Sequence, residues 1–277
     1  MRVAIAISVF ALALQGSYKL EEREAFHHTF SKAGTIDVDN VNGWIVVTGD
    51  GGNTIRVDGE KVIRADDAEE MARGKKDVVL DVNEKDGVAQ LYVNGPFRNN
   101  NNNHGHHEHN DRYDVTYNFT IHVPRATALR LHSVNGKISA DDTAGKFDLH
   151  TVNGAVTMTN VAGAGSAETL NGNTTVTFRE NPKADCLFKS FNGHVEAGFL
   201  PGLAANVHVK TFNGAAYTDF DATALAGGAG QSERSGGKFV YRSNKESSVR
   251  IGAGGPELKF ETFNGNIKIR NLAEAKK

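Results

Sequence analysis

The residues best suited to chemistry in this sequence are four histidines in one short polar stretch, RNNNNNHGHHEHNDR (98–112). They are His104, His106, His107 and His109. Imidazoles that are close in sequence can converge on a divalent metal ion. The stretch lacks the fixed spacing of zinc fingers and zinc proteases, so a solvated hairpin insertion is the alternative interpretation. It is a candidate metal site, and the sequence indicates no other cofactor.

Other reactive residues have simpler interpretations. His132, His150 and Glu168 stand at equivalent positions of a repeat, where two imidazoles and a carboxylate could meet, but alternating charge on a solvated face explains them equally well. Cys186 stands at an apolar position of the repeat, which is typical of a small core residue. No nucleophile-elbow, phosphate-loop, zinc-protease or dinucleotide motif occurs. We therefore name no catalytic residue and predict a protein that is not an enzyme.

The elements that must position these residues are short repeats centred on Asn-Gly. Seven such pairs follow an apolar residue and open an alternating segment, and four consecutive intervals are 18, 18, 21 and 21 residues. A period of this length is typical of stacked supersecondary units. The pairs are Asn42-Gly43, Asn135-Gly136, Asn153-Gly154, Asn171-Gly172, Asn192-Gly193, Asn213-Gly214 and Asn264-Gly265.

Each repeat contains two alternating segments. Apolar or small residues stand six and four positions before Asn and, with one Thr, three positions after it, which predicts one strand on each side. The Asn-Gly pair is either a hairpin turn or a corner into a new strand direction. The residues directly before Asn are Val41, Val134, Val152, Leu170, Phe191, Phe212 and Phe263.

A hairpin would expose these seven residues, whereas a corner allows them to point inward. We favour the corner, because seven apolar residues on a solvated face would promote aggregation. In that arrangement the Phe212→Ala substitution should destabilise the fold by roughly 3 kcal/mol.

The predicted fold is all-β: a β-solenoid, a single-stranded β-helix-like stack of Asn-Gly repeats, with an Asn ladder along its corner. Residues 17–277 form one domain, in which 17–128 are a β-rich N-terminal part with one short helix and 129–277 are the regular repeats. Within it we expect strands at 55–65, 114–123, 238–242 and 248–251, a short helix at 66–76, a hairpin at 77–95 and a flexible excursion at 219–237.

The charge and the N-terminus indicate a compartment. With 31 basic and 33 acidic residues the net charge is −2, which excludes nucleic-acid binding through a basic surplus. The apolar run from Val3 to Leu14 follows Met1-Arg2 and precedes small residues, as in a secretory signal peptide of residues 1–16. A buried N-terminal strand is the alternative. No later stretch is apolar enough to span a membrane, so we expect an extracytoplasmic protein, periplasmic or secreted.

Three features carry a resemblance to a known family. They are the [ST]-apolar-Asn-Gly-x-apolar units, the stretch YNFTIHVPRATALRLHSVNGKISA (117–140) and the ending GAGGPELKFETFNGNIKIR (252–270). Over roughly Ile36 to Arg270 the sequence resembles the bacterial putative-adhesin family of β-strand repeat proteins, also called toastrack domains. The resemblance implies a non-enzymatic protein of the cell envelope, either adhesin-like or part of envelope-stress sensing, without catalytic residues.

The sequence leaves three hypotheses for function. The first is a secreted or periplasmic binding or structural module that presents a rigid ladder surface to an unidentified envelope or surface protein or glycan, with its oligomeric state open. The second is a metal-binding envelope protein that acts through the His-rich stretch. The third is a polysaccharide-acting β-helix enzyme with outward acids such as Glu168.

Overall fold

The computed structural model describes residues 18–98, 112–225, 231–235, 238–242 and 247–273. Within these ranges the chain forms two large β-sheets, of 12 and 11 strands, and one α-helix. The prediction of an all-β fold with one short helix is confirmed. The predicted signal peptide and the four histidines His104, His106, His107 and His109 lie outside the described residues.

The helix is α1 (Ala68–Asp77), and a 3-10 turn covers Pro96–Arg98. The strands up to the first regular repeat are β1 (Leu20–Phe30), β2 (Thr35–Asp39), β3 (Ile45–Asp50), β4 (Ile55–Ala65), β5 (Val79–Lys85), β6 (Val88–Asn94) and β7 (Tyr113–Pro124). The remaining strands are β8 (Ala128–Asn135), β9 (Ile138–Asp141), β10 (Phe147–Asn153), β11 (Val156–Val161), β12 (Gly165–Asn171), β13 (Thr174–Phe178), β14 (Cys186–Asn192), β15 (Val195–Phe199), β16 (Ala205–Asn213), β17 (Ala216–Thr218), β18 (Ala222–Ala224), β19 (Gln231–Ser235), β20 (Lys238–Arg242), β21 (Ser247–Ile251), β22 (Glu257–Asn264) and β23 (Ile267–Asn271).

Local sequence signals explain several elements. Asp67 caps α1 by accepting a hydrogen bond from the Glu70 backbone N–H at 3.0 Å, with acidic residues in the first turn and basic residues in the last, as the helix dipole favours. The strand β4 has the bounds that its alternation predicts, and β5 and β6 form the predicted hairpin. These expectations, and those for β7, β20 and β21, are confirmed within one or two residues.

Each Asn-Gly repeat contributes one strand to each sheet. Sheet 1 has the order β1-β4-β7-β3-β9-β11-β13-β15-β23-β17-β20-β19, and sheet 2 has the order β18-β21-β16-β22-β14-β12-β10-β8-β2-β6-β5. The chain leaves sheet 2 at Asn-Gly and enters sheet 1 directly afterwards, for example from β10 to β11. The Asn-Gly pair is therefore a corner between sheets rather than a hairpin turn, as predicted.

Equivalent strands of neighbouring repeats pair in parallel and in register. In sheet 2 His150 is paired with His132 on one side and with Glu168 on the other, and Asn153 is paired with Asn135 and Asn171 in the same way. The same register holds in sheet 1, where Val156 lies between Ile138 and Thr174. Like positions of the sequence repeat therefore lie directly over one another.

The core lies between the inward faces of the two sheets. Phe188 of sheet 2 packs against Phe178 of sheet 1 with ring centroids 6.1 Å apart, and Phe260 packs against Phe199 at 6.5 Å. All four side chains are almost completely buried. Cys186 is also buried, and burial raises the pKa of its thiol to about 11, so it is a core residue and not a reactive thiolate.

The residues directly before Asn do not point inward, and this expectation was wrong. Phe212 is 60% exposed, and Leu170 and Phe191 are each 42% exposed. The inward place at the corner belongs to the residue two before Asn, which is buried in every copy. In five copies a Ser or Thr hydroxyl there donates to the glycine carbonyl of the neighbouring repeat, as Thr169 does to Gly154 at 2.7 Å. Alternation then places the next residue outside.

The order of the stack also departs from the order of the sequence. The last repeat, with strands β22 and β23, lies between the repeats of Asn192 and Asn213 instead of beyond them. The antiparallel strands β20 and β21 cover the outer side of β17 and β16. The final part of the chain therefore returns into the stack.

Two further elements differ from expectation. The segment 219–237, expected to be a flexible excursion, contains the strands β18 and β19. The first strand, β1, was not predicted, although it pairs with β4 over all eleven residues. Its first half has four consecutive charged residues, 21–24, instead of an alternating apolar pattern. Two of these carboxylates are paired in the structure, Glu21 with Arg23 and Glu22 with Lys75.

Candidate binding surface

The side chains of the seven repeat asparagines form a continuous ladder at the corner between the sheets. Six of the seven Nδ2 groups donate to the Oδ1 of the neighbouring Asn at 2.7–2.9 Å, and the Nδ2 of Asn42, at the end of the ladder, donates to the Val115 carbonyl at 3.4 Å. Along the stack the order is Asn42, Asn135, Asn153, Asn171, Asn192, Asn264 and Asn213. Every internal amide is both donor and acceptor, so the ladder fixes the spacing of the repeats at this corner.

The glycine after each Asn is required by the close approach of the backbones. A Cβ at Gly154 would overlap the carbonyl of Gly136, and a Cβ at Gly172 would overlap that of Gly154. The corresponding overlap occurs at Gly136, Gly193, Gly214 and Gly265. At Gly43 the overlap is with Tyr117, and the backbone there has a φ of +110°. The Asn-Gly pair therefore encodes both the amide ladder and the tight corner.

An alanine in the middle of the amide ladder should cost more stability than one at its end. Asn171 donates to Asn153 and accepts from Asn192, whereas Asn213 makes one amide–amide bond, to Asn264. At about 0.5–1.5 kcal/mol for each bond, we expect Asn171→Ala to lower the free energy of unfolding by roughly 2 kcal/mol and Asn213→Ala by about half of that. Urea unfolding of both variants is the measurement. Equal losses would contradict a cooperative ladder.

Beside the amide ladder runs a second column, which we call the apolar ladder. It consists of the residues directly before each Asn, in the spatial order Val41, Val134, Val152, Leu170, Phe191, Phe263 and Phe212. Five members are at least 37% exposed, and Val41 and Val152 are half-buried. Monomeric proteins seldom expose apolar side chains in one continuous row, and such rows are typical of binding surfaces.

The aromatic part of the apolar ladder is a regular stack. Phe263 lies between Phe191 and Phe212, with both ring centroids 4.8 Å away and with interplanar angles of 4° and 5°. Because the ring faces cover one another along the stack, the surface presents ring edges rather than faces. Such a surface suits a flat apolar partner more than a sugar ring, which requires an open aromatic face.

Charged residues flank the apolar ladder on the sheet 2 side. Three positions before each Asn, the column in spatial order is Asp39, His132, His150, Glu168, Lys189, Glu261 and Lys210. Asp39 pairs with Arg98 at 2.7 Å, and Lys189 pairs with Glu261 at 3.7 Å. The apolar ladder is therefore bordered by amides on one side and by mixed charges on the other.

The structure brings His132, His150 and Glu168 together in one row, as their equivalent repeat positions indicated. The two imidazole rings lie 6.3 Å apart at a near-perpendicular angle, and His132 approaches Asp148 at 3.9 Å. Among the residues that the structure describes, no group of three or more His, Cys, Asp and Glu side chains is placed to hold a metal ion. The row is a solvated polar face in this structure.

A hydrogen-bonded chain that the sequence did not indicate joins three strands at one end of sheet 2. The Nδ1 of His208 lies 2.7 Å from the Ser248 hydroxyl, and its Nε2 contacts the Glu257 carboxylate. Asn206 donates to Glu257 at 2.9 Å, and these hydrogen bonds from Asn206 and His208 hold the pKa of Glu257 below its usual value. The adjacent cleft of about 440 Å³ is partly open to solvent, with Lys210 and Lys259 on its walls.

The hydrogen-bonded side chains Ser248, His208 and Glu257 follow the order of a nucleophile, a base and a carboxylate. Their placement nevertheless argues for a structural role. Among the described residues, His208 and Glu257 line the cleft and Ser248 does not. A substrate in the cleft would meet the imidazole and lysines rather than the hydroxyl. These hydrogen bonds connect β21 to β16 and β22 at the point where the last repeat enters the stack.

Comparison with known proteins gives fold likeness alone. No protein-family model matches the chain, and no curated protein matches it. A solved structure of a putative cell adhesion protein from Clostridium sporogenes has 11% identity and a TM-score of 0.40, over 91% of this chain and 99% of that chain. A putative adhesin from Bacteroides fragilis has 10% identity and a TM-score of 0.37, over 90% of this chain and 97% of that chain.

A further solved structure, a putative lipid binding protein from Parabacteroides distasonis, has 10% identity and a TM-score of 0.28, over 90% of this chain and 96% of that chain. Two of these three similar structures are named as putative adhesion proteins. Among the described residues, no helix is both long and apolar enough to cross a membrane.

Proposed function

We propose that this protein is a non-enzymatic binding module of the bacterial cell envelope, and that the apolar ladder is its contact surface. The observation that carries the proposal is the continuous row of exposed apolar side chains, five of which are 37–60% exposed. An exposed apolar row is costly in water and becomes favourable when a partner covers it.

The scaffold supports this role. The strands that carry the apolar ladder are held in register by parallel backbone pairing, and the amide ladder fixes the spacing next to it. Side chains that are already ordered lose little conformational entropy when a partner binds. In this proposal the repeats act as turns of a β-solenoid, whose length sets the length of the binding surface.

The proposed location is extracytoplasmic, either periplasmic or secreted. It is supported by the signal-peptide pattern of residues 1–16 and by the similarity to proteins named as adhesins. Fractionation of the producing cells, with N-terminal sequencing of the recovered chain, tests it. A chain that stays in the cytoplasm with Met1 or Arg2 at its N-terminus would remove this part of the proposal.

The binding role is tested with envelope fractions of the source bacterium. The triple variant Phe191→Ser, Phe263→Ser, Phe212→Ser removes the aromatic stack, and we expect it to lose most of the saturable binding of the labelled chain. The matched control is Val79→Ser, Val82→Ser on β5, where two exposed valines lie outside the apolar ladder.

Circular dichroism and thermal unfolding must first show that the variants in this test are folded. Equal envelope binding by the triple variant and the parent chain would refute the apolar ladder as the contact surface. Digestion of envelope polysaccharide that is lost on Glu168→Gln would instead favour the enzyme hypothesis.

A further inference from the structure

The apolar ladder has a gradient of side-chain size from one end to the other. Three valines occupy one end, Leu170 is the middle rung, and three phenylalanines occupy the other end. The gradient appears only in the spatial order, in which Phe263 of the last repeat lies between Phe191 and Phe212. The side chains of the apolar ladder are therefore small at one end and large at the other.

We propose that a second copy of this chain covers the apolar ladder, with the two stacks antiparallel and related by a two-fold axis at Leu170. This inference rests on the proposed function, because it names the partner of the same surface. In the antiparallel arrangement Leu170 faces Leu170 of the second copy, Val152 faces Phe191, and the outer rungs follow the same rule. Every pair of facing rungs then has a similar combined volume.

Other arrangements of two copies fit less well. Two parallel ladders would place valine against valine at one end and phenylalanine against phenylalanine at the other, which leaves a wedge-shaped gap. Identical repeats with the spacing of paired strands, about 4.8 Å, keep two such ladders in step along their whole length. A two-fold contact of this kind uses the same patch on both copies and closes as a dimer.

The flanking charges favour the same arrangement at its ends. The axis brings the two charged columns opposite each other in reverse order, so that Asp39 faces Lys210 and His132 faces Glu261. At the axis Glu168 faces its own equivalent, which opposes association. These rim charges are partly solvated and contribute little energy, so the size gradient decides the arrangement.

The dimensions predict a reversible dimer. Six intervals of about 4.8 Å give a length of roughly 29 Å, and four residues of strand give a width of roughly 14 Å, or roughly 400 Å² on each copy. This is below the usual area of permanent complexes, so we expect a dissociation constant on the order of micromolar. Copies of this protein that are attached to the cell envelope would then be one of the partners that the envelope-binding test detects.

A size-swap experiment tests the proposal. Sedimentation equilibrium of the purified chain over a wide concentration range should show a monomer and a dimer. We expect Val152→Phe and Phe191→Val each to raise the dissociation constant about tenfold, and the double variant to return within about threefold of the parent. Thermal unfolding of each variant shows that it is folded, and Val82→Phe on β5 is the control that should change nothing.

The outcomes separate this inference from the proposed function. A chain that stays monomeric at all concentrations overturns the dimer, as does a dimer that the size swaps do not affect or that the double variant does not rescue. Envelope fractions from a strain that lacks this chain are the second arm. If a monomeric chain still binds them through the apolar ladder, the proposed function stands and the second copy is not the partner.

Discussion

An alanine at Gly154 is expected to lower the free energy of unfolding by at least about 3 kcal/mol. The added Cβ would overlap the carbonyl of Gly136 on the neighbouring repeat. That carbonyl cannot move away freely, because it accepts a hydrogen bond from Thr151 at 2.8 Å. The carbonyl of Gly154 itself accepts one from Thr169. Displacing either backbone therefore breaks contacts on both sides of the substituted repeat.

The matched control for this prediction is Gly34→Ala, because nothing lies within 4 Å of a Cβ at Gly34. We expect its stability to stay within about 0.5 kcal/mol of the parent chain. Urea unfolding can be followed by the fluorescence of the single tryptophan, Trp44, and by circular dichroism. Similar unfolding midpoints for the two variants would mean that the corner is looser than the structure shows.

Much of the architecture could be predicted because its signals are local. Alternation with period two defined β4, β7, β20 and β21, and turn residues defined the hairpin of β5 and β6. The regular spacing of Asn-Gly indicated that like positions stack, which the in-register pairing of Asn153 with Asn135 and Asn171 shows. None of these inferences requires knowledge of distant contacts.

The direction of the residue before Asn was predicted wrongly because the general rule that large apolar rows avoid solvent was applied to it. Thr169 and its equivalents are inside, and in five of the seven copies a Ser or Thr hydroxyl there donates to a glycine carbonyl of the neighbouring repeat. Counting the alternation through this position places Leu170 and its equivalents outside. The alternation of the sequence therefore indicated the outward direction of these residues, and the general rule against exposed apolar residues gave the wrong prediction.

The position of the last repeat could not be predicted from the sequence. Repeats with the same pattern of apolar residues and Asn-Gly can pair in any order, since parallel pairing depends on matching spacing and not on identity. The antiparallel strands β20 and β21 cover the repeat of Asn213, so the last repeat pairs on its other side. The size gradient of the apolar ladder follows from this order, so it could not be predicted from the sequence either.

The largest difference between two similar substitutions is expected between Phe260→Ala and Phe212→Ala. Phe260 is fully buried between the sheets, with the ring of Phe188 at 5.2 Å, so its removal leaves a cavity that the paired strands cannot close. We expect it to lower the free energy of unfolding by roughly 3–5 kcal/mol. Phe212 is 60% exposed and stacks on one ring, that of Phe263.

For Phe212→Ala, losing one aromatic stack should cost about 1 kcal/mol, instead of the larger loss that an inward side chain would cause. Both variants replace Phe by Ala in strands that pair with each other. A difference in strand propensity therefore does not explain a difference between their unfolding free energies. Urea unfolding of the two proteins at equal, low concentration, where self-association does not contribute, measures the difference. If Phe212→Ala were as destabilising as Phe260→Ala, the residue before Asn would belong to the core, and the apolar ladder would not be a surface.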